Sequence, residues 1–337
     1  MTADRTQIGV IGAGSWGTAL AIQLGRAGQQ PTLWGREPEV IKALTEQRCN
    51  SVFLPDMPLP DNVQIEADLE KLVASHRDLL VCVPSHVFRS LLESIKPHTI
   101  KDVRIAWATK GFELATGKLP HEVAHETLGL EVPLAVVSGP TFATEVGRGL
   151  PTAMTVAATN SDYADELAWR FSDQNFRAYT SNDLIGVEVG GAVKNILAIA
   201  TGISDGLGFG ANTRVALITR GLAELTRLGV ALGGSQHTFT GLSGMGDLVL
   251  TCTDNQSRNR RMGLGLAKGR SIDDMAAEIG QVVEGVKAAA AVHKVAHEKR
   301  VEMPICEQVY KLLYEDTSVE DAIQALMQRE VKSEADA

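Results

Sequence analysis

Cysteine is scarce in this sequence, and its four copies are scattered. Cys49, Cys82, Cys252 and Cys306 stand far apart, and no two of them form a C-x-x-C pair. This spacing indicates neither a disulfide framework nor a zinc ribbon. Isolated thiols in a chain of 337 residues are typical of a protein from a reducing compartment.

Long apolar runs and a surplus of positive charge are also missing. No stretch reaches ~18 consecutive apolar residues, so we expect no transmembrane helix and no stable membrane insertion. Residues 1–5 lead straight into a strand-like segment without the apolar region of a signal peptide, which favours a cytoplasmic protein. The net charge of −9 argues against nucleic acid or an anionic membrane as the main partner.

What the first half contains is an alternation of short apolar runs with helical patterns, which is typical of βαβ units and a parallel sheet. It predicts an α/β fold with a Rossmann-type, doubly wound sheet. The predicted strands are 7–11, 31–35, 78–83, 103–108, 134–137, 152–158 and 175–179. The predicted helices between them are 17–27, 37–47, 86–95, 119–128 and 163–173.

The second half reads as helices alone, which predicts a separate all-α domain. The predicted helices are 185–201, 213–228, 260–268, 286–300, 304–314 and 318–328. We therefore expect a dinucleotide-binding domain over residues 1–184, a helical substrate domain over 185–330 and a frayed tail over 331–337.

A glycine-rich motif joins the first strand to the first helix. Gly12, Gly14 and Gly17 fit the pattern G-x-G-x-x-G in the required strand–turn–helix context. The first glycine permits a tight turn, the second admits a pyrophosphate, and the third lets helix and strand pack closely. The helix N-terminus adds free N–H groups for the phosphates. We therefore predict a dinucleotide site here.

The residue after the second strand bears on the choice of dinucleotide. Arg36 lies about 20 residues beyond the third glycine, where NAD sites usually carry Asp or Glu. Because an arginine can pair with a 2′-phosphate, NADPH is favoured. The adjacent Glu37 leaves NADH open.

Two lysines stand where chemistry is expected. Lys110 follows the predicted strand 103–108, at a carboxyl end where ligands of open sheets bind. Lys194 interrupts an otherwise apolar helix that also contains Gly190 and Gly191, so it either extends to solvent or lies in a cleft. Desolvation beside a second cation would lower the pKa of Lys194 toward neutrality, as proton transfer requires.

Three further polar segments lie between apolar ones. Residues 138–143 follow the fifth strand, and their backbone can line the same crevice. Residues 244–247 form a second polar island, and 255–261 a third. Arg258 near a helix start in this third segment, with free N–H groups beside it, predicts a phosphate seat.

One motif points elsewhere. His121 to His125 match H-E-x-x-H, the pattern of zinc proteases. The motif lies inside the predicted dinucleotide domain and directly follows Pro120. We interpret it as the polar face of a helix and expect no metal site.

Taken together, these segments resemble the bacterial type of NAD(P)-dependent glycerol-3-phosphate dehydrogenase, over roughly residues 7–328. The most specific pieces are 12–19, 109–111, 138–143, 193–195, 244–248 and 257–259. The resemblance implies reversible hydride transfer between NAD(P)H and dihydroxyacetone phosphate, giving sn-glycerol 3-phosphate for phospholipids. It also implies a helical domain like the C-terminal domain of 6-phosphogluconate dehydrogenase.

The resemblance implies residue roles as well. Lys194 would be the proton donor and acceptor, assisted by Lys110. The substrate would be held by Lys110, Gly139, Thr141, Lys194, Asp247, Ser257, Arg258 and Asn259. Besides the three glycines, the dinucleotide would be held by Ser15, Trp16, Arg36, Lys110, Ala143, Arg258, Val282 and Glu284. Helical domains of this kind often pair, so we expect a homodimer.

Two other functions fit parts of the pattern. A β-hydroxyacid dehydrogenase related to 6-phosphogluconate dehydrogenase shares the two-domain plan and a helix lysine. Lys110 and the Ser257–Asn259 segment favour glycerol phosphate over this alternative. A dinucleotide-binding sensor without turnover would not need the two lysines.

Overall fold

The computed structural model describes residues 6–330 and Ser333, so the expected frayed tail lies, apart from Ser333, outside the described residues. Eight of the strands in this part of the chain form one sheet, and two form a short hairpin. The strands are β1 (Gln7–Ile11), β2 (Gln30–Trp34), β3 (Cys49–Asn50), β4 (Leu54–Pro58), β5 (Gln64–Ile65), β6 (Asp78–Val81), β7 (Arg104–Trp107), β8 (Leu134–Ser138), β9 (Thr152–Ala158) and β10 (Phe176–Ser181).

Helices cover both faces of the sheet. They are α1 (Ser15–Arg26), α2 (Pro38–Glu46), α3 (Leu69–Ser75), α4 (Ser85–Ile95), α5 (Pro120–Leu128), α6 (Ala143–Arg148) and α7 (Ser161–Phe171). Side chains of α1, α2, α6 and α7 share one apolar core with the sheet, and those of α3, α4 and α5 share another. Because both faces are covered, the central strands β6, β7 and β8 are buried along their whole length.

The strand order β10-β9-β8-β7-β6-β1-β2-β5 determines where a ligand can lie. The strand β1 pairs in parallel with β2 on one side and with β6 on the other. The chain moves outward from β1 to β2 and later returns to β6, so the strand order reverses between β1 and β6. Open sheets of this type bind ligands beyond the carboxyl ends of the strands at that reversal.

The predicted α/β fold is confirmed, with one detail wrong: the sheet is not parallel throughout. The strand β9 pairs antiparallel with β8, whereas β10 pairs in parallel with β9. A strand that pairs in parallel with the strand before it needs a crossover connection, which returns the chain to the end of the sheet where the earlier strand began. The helix in the connection 139–151, α6, has only six residues and does not span the sheet, so β9 starts at the end of the sheet where β8 ends.

Several short elements were not predicted, namely β3, β4, β5, α3 and α6. The two residues of β3 and the two of β5 are too few to show a periodic pattern. The β3–β4 hairpin contains Pro55 and Pro58, residues that normally argue against a strand. All five elements have seven residues or fewer, so the local sequence carries little signal for them.

The rest of the described chain is helical, as predicted, with no strand among the described residues after Ser181. The helices are α8 (Leu184–Gly206), α9 (Ala211–Ala231), α10 (Asp247–Thr253), α11 (Arg258–Leu266), α12 (Ile272–Ile279), α13 (Glu284–Lys299), α14 (Pro304–Tyr314) and α15 (Val319–Met327). Of these, α10 and α12 were not predicted. Both are short, with seven and eight residues.

The helix α8 connects the sheet to the helical part. Leu184 and Val187, at its start, belong to the core of the sheet, whereas its later residues from Val189 onward form the core of the helical part. Although α8 is long and apolar enough to cross a membrane, 89% of its most apolar window is buried within the protein. It is therefore a core helix. The boundary between the two domains at residues 184/185 stays a prediction.

A cluster of buried charged side chains stabilises the sheet at the amino ends of its strands. Asp78 and Arg104 are the first residues of β6 and β7, lie opposite each other in register and form an ion pair. Asp78 also accepts from Arg170 at 2.9 Å, and Glu166 accepts from Arg104 at 2.7 Å. All three of these side chains, Asp78, Arg104 and Arg170, are buried, so each charge is stabilised by its oppositely charged partners and not by water.

We predict that Asp78→Asn lowers the free energy of unfolding by about 3 kcal/mol, because two buried guanidinium groups lose their shared carboxylate. The matched control is Asp102→Asn, which breaks the exposed ion pair with Arg77. That variant should change stability by less than about 1 kcal/mol. Urea unfolding measures both, and equal losses would contradict a structural role for the cluster.

Candidate active site

A cleft of about 1170 Å³ lies between the carboxyl ends of the strands and the helical part. Its walls on the sheet side include the glycine-rich turn, the start of α4 and the first turn of α6. On the helical side they include α8, α10, the start of α11 and the segment before α13. The cleft lies at the reversal of strand order, where a ligand is expected.

The glycine-rich turn has the geometry that the motif predicts. Gly12 has φ +117°, and a Cβ there would lie 2.6 Å from the carbonyl oxygen of Cys82. A Cβ on Gly17 would overlap the carbonyl oxygen of Gly12. At Gly14, by contrast, an added Cβ would meet nothing within 4 Å. The open space above Gly14 is where the backbone can approach a pyrophosphate.

The start of α1 completes this turn. Its N-cap, Gly14, offers no side chain to the first N–H groups, which remain available for an anion. Asn50 of β3 holds the turn in place, because its amide donates to the Ala13 carbonyl and to the Thr18 hydroxyl, both at 2.8 Å. Sequence reasoning missed Asn50, since nothing in the local sequence relates it to a turn so far back along the chain.

The side chains expected around a dinucleotide mostly line the cleft. Ser15, Trp16, Arg36 and Ala143 are among its lining residues. The Trp16 Nε1 group is buried and has no hydrogen-bond partner among the described residues. The Arg36 side chain is 78% exposed and pairs with Glu37 at 2.9 Å, so it is accessible to a ligand phosphate. These features fit a nicotinamide dinucleotide held by the sheet side.

The two lysines converge on one carboxylate. Lys110 Nζ donates to Asp247 Oδ2 at 2.7 Å, and Lys194 Nζ donates to Asp247 Oδ1. Lys110 comes from the end of β7, Lys194 from α8 and Asp247 from the first turn of α10. All three side chains line the cleft, and Asp247 is almost wholly buried. Lys194 therefore lies in a cleft, which decides the question that its sequence context left open.

Burial and the neighbouring charges change the ionisation of this cluster. Burial lowers the pKa of Lys194 to about 7, the Lys110 ammonium acts in the same direction, and the Asp247 carboxylate opposes it. Burial alone would raise the pKa of Asp247, but the two ammonium groups outweigh it and lower that pKa. At neutral pH Lys194 can thus both give and accept a proton, while Asp247 stays ionised.

Thr251 is a neighbour of Lys194 that sequence reasoning missed. Its hydroxyl accepts from Lys194 Nζ at 3.0 Å and donates to the Asp247 carbonyl at 2.6 Å. Thr251 lies four residues after Asp247 on α10, so both side chains lie on one helix face. The spacing was visible in the sequence, but α10 itself was not predicted.

The segment before α11 has the geometry of an anion-binding site. Ser257 is the N-cap of α11, and its hydroxyl accepts from the Arg260 N–H at 3.2 Å. Arg258 donates to Gln281 at 3.2 Å, and both line the cleft. Asn259 connects α8 to α13, because its amide donates to Asn195 at 2.9 Å and accepts from the Gly285 N–H at 2.8 Å.

Most of the other expected site residues also lie at the cleft. Thr141, Val282 and Glu284 are lining residues, whereas Gly139 is not. Gly139 lies in the turn after β8, where its carbonyl accepts from the Thr141 hydroxyl at 3.2 Å. Burial raises the pKa of Glu284, against the attraction of nearby Arg258 and the two lysines.

The H-E-x-x-H residues make ordinary structural contacts. His121 Nδ1 lies 2.5 Å from Glu188, and its backbone N–H donates to the same carboxylate at 2.9 Å. Glu122 accepts from the N–H of Leu119 at the start of its own helix. Among the described residues, no group of three or more His, Cys, Asp or Glu side chains is placed to bind a metal ion.

The chain matches two family models. The model for the N-terminus of NAD-dependent glycerol-3-phosphate dehydrogenase matches residues 7–164. The model for the C-terminus of the same enzyme family matches residues 183–324. The two matches together cover most of the chain.

Individual relatives agree with the models. Glycerol-3-phosphate dehydrogenase [NAD(P)+] of Photorhabdus laumondii is 56% identical over 328 residues, which are 97% of this chain and 96% of that protein. The Aeromonas hydrophila enzyme is 54% identical and covers 98% of this chain and 100% of its own length. A crystal structure of glycerol-3-phosphate dehydrogenase from Coxiella burnetii has a TM-score of 0.92 at 47% identity, covering 96% of this chain and 99% of that one. The resemblance read from the sequence is thus confirmed, and the chain belongs to the NAD-dependent glycerol-3-phosphate dehydrogenase family.

Proposed function

We propose that this chain catalyses the reaction of its family, the reversible reduction of dihydroxyacetone phosphate to sn-glycerol 3-phosphate with NAD(P)H. The observation that carries the proposal is the meeting of Lys110 and Lys194 on Asp247, in the cleft that the glycine-rich turn also lines. A dinucleotide-binding sensor would have no use for a buried lysine of lowered pKa in that position.

Lys194 is the proton donor and acceptor of the reaction. When bound, the nicotinamide supplies the hydride for carbon 2 of dihydroxyacetone phosphate. Lys194 donates a proton to the oxygen on carbon 2 during reduction and removes it during oxidation. Lys110 polarises the same carbonyl and stabilises the negative charge that develops on its oxygen. Asp247 orients both ammonium groups, and Thr251 fixes the position of Lys194.

The substrate phosphate binds at the start of α11, with Ser257, Arg258 and Asn259. The Arg258 guanidinium and the helix N-terminus supply the positive charge. Binding energy from this remote group orients the reacting carbon between the lysines and the nicotinamide. Gly139 and Thr141, in the turn after β8, complete the substrate site.

The dinucleotide would be held mainly by residues on the sheet side of the cleft. The turn formed by Gly12, Gly14 and Gly17 would hold the pyrophosphate together with Ser15 and Trp16, and Arg36 would meet the adenosine ribose. Lys110, Ala143, Arg258, Val282 and Glu284, which also line the cleft, would complete the dinucleotide site. The exposed Arg36 can pair with the 2′-phosphate of NADPH and so favours that cofactor, while Glu37 keeps NADH acceptable.

Further proposals concern the setting of the enzyme. The division of the chain into a dinucleotide domain (1–184) and a substrate domain (185–330) follows the change from sheet to helices. The scattered free thiols support a cytoplasmic location, and the frequent pairing of helical domains of this kind supports a homodimer. The glycerol 3-phosphate formed supplies glycerophospholipid synthesis.

The direct test of the function is NADPH oxidation by the purified protein, followed by absorbance, with dihydroxyacetone phosphate as substrate. We expect turnover with dihydroxyacetone phosphate and none of 6-phosphogluconate with NADP+. The opposite pattern would support a β-hydroxyacid dehydrogenase, and NADPH binding without any turnover would support a sensor.

We predict that Lys194→Ala lowers kcat at least about a hundredfold, because proton transfer to the oxygen of carbon 2 loses its donor. The affinity for NADPH, measured through NADPH fluorescence, should change little, because Lys194 lies outside the glycine-rich turn. The matched control is Lys299→Ala, at the exposed end of α13. Full activity of Lys194→Ala would contradict the assigned role.

We predict that Arg258→Ala raises the KM for dihydroxyacetone phosphate by about 10- to 100-fold, through loss of a charged hydrogen bond to the phosphate. At saturating NADPH, which offsets any loss of dinucleotide contacts with Arg258, dihydroxyacetone, which lacks the phosphate, should be reduced equally poorly by the variant and the parent. Arg270→Ala, which removes an exposed arginine paired with Glu278, is the control. Equal losses with both substrates would refute the phosphate contact.

A further inference from the structure

A polar contact outside the lysine cluster joins the two sides of the cleft at its mouth. Gln256 Nε2 donates to Glu145 Oε1 at 2.9 Å, and the Thr144 hydroxyl donates to Gln256 Oε1. Thr144 and Glu145 lie in the first turn of α6 on the sheet side, whereas Gln256 lies between α10 and α11 on the helical side. One side-chain amide thus uses both its donor and its acceptor across the cleft. We refer to Thr144, Glu145 and Gln256 as the clasp.

The clasp lies next to residues that hold ligands in the proposed function. Gln256 directly precedes Ser257–Asn259, the proposed seat of the substrate phosphate, and Thr144 directly follows Ala143. Thr144 and Gln256 themselves line the cleft. The Gln256 backbone N–H donates to Asp254 at 2.7 Å, which fixes the turn from which the side chain extends. Movement of Gln256 away from α6 would therefore carry the phosphate seat with it.

The contacts at the rear of the cleft differ in kind from the clasp. There α8 runs unbroken from the sheet into the helical part. Phe112 and Leu119, from the sheet side, are buried in the apolar core of the helical part together with Val292 and Val295. Separating the two sides here would expose this apolar surface to water, which is unfavourable. The clasp consists of hydrogen bonds at the surface, which water can replace at small net cost.

Resting on the proposed function, we propose that Gln256 is a positioning residue, which closes the clasp over bound dihydroxyacetone phosphate and so holds Ser257–Asn259 against the sheet side. Gln256 takes no part in hydride or proton transfer. With the clasp broken, part of the substrate binding energy must close the cleft, so the KM rises. Once the cleft is closed, the lysine cluster is unchanged and kcat is nearly retained.

The test is an exchange of the two clasp partners. In Q256E, two carboxylates face each other at positions 145 and 256, and their repulsion opens the clasp. We expect the KM for dihydroxyacetone phosphate to rise about tenfold, while kcat changes less than about twofold. In the double variant Q256E/E145Q, the amide and the carboxylate have changed places, and the carboxylate at position 256 can accept from both the amide at position 145 and the Thr144 hydroxyl. We expect its KM to return to within about threefold of the parent.

The double variant keeps the carboxylate at position 256, so it also controls for repulsion between that charge and the substrate phosphate. Q324E, at an exposed position of α15 that does not line the cleft, controls for the change in net charge and should leave the KM unchanged. A Q256E variant with the KM of the parent would overturn the proposal. So would a double variant that is no better than Q256E, because the loss would then come from the side chain at position 256 acting on the substrate phosphate and not from the broken clasp. Turnover by the parent protein tests the proposed function separately, since it involves none of these variants.

Discussion

The account depends on a single buried carboxylate that two lysines share. Asp247 holds Lys110 on one oxygen and Lys194 on the other, so it determines where both ammonium groups point. Without it, two like charges would face each other in a largely buried place, and their repulsion would push them apart. With it, Lys194 stays in place, and its pKa lies at about 7. Positioning and acid–base chemistry thus have the same physical origin.

The fold brings these three residues together from distant parts of the chain. Lys110 follows β7, whose carboxyl end opens onto the cleft, and Lys194 lies in the middle of α8, where this helix passes that edge. A Cβ on Gly191 would lie 3.3 Å from the Lys110 side chain. The small residue lets α8 approach the sheet edge, and this close approach explains a glycine in the interior of a buried helix.

Much of this could be predicted from the sequence, for reasons that are local. The glycine-rich motif depends on the spacing of three nearby residues, and the buried strands on continuous apolar runs. Both lysines could be singled out, because one follows a strand and the other interrupts an apolar helix. What could not be predicted depends on contacts between distant segments. The antiparallel β9, the support of the turn by Asn50 and the Asp247 bridge are all of this type.

The most direct measurement of the central claim is the pH dependence of kcat/KM for dihydroxyacetone phosphate, at saturating NADPH, in the parent protein and in Asp247→Asn. In the proposed mechanism, reduction needs the protonated form of Lys194, so in the parent protein kcat/KM should fall as the pH rises through about 7. The carboxylate favours the charged lysine, so its removal should move that fall to lower pH. A fall at the same or at higher pH in Asp247→Asn would contradict the account.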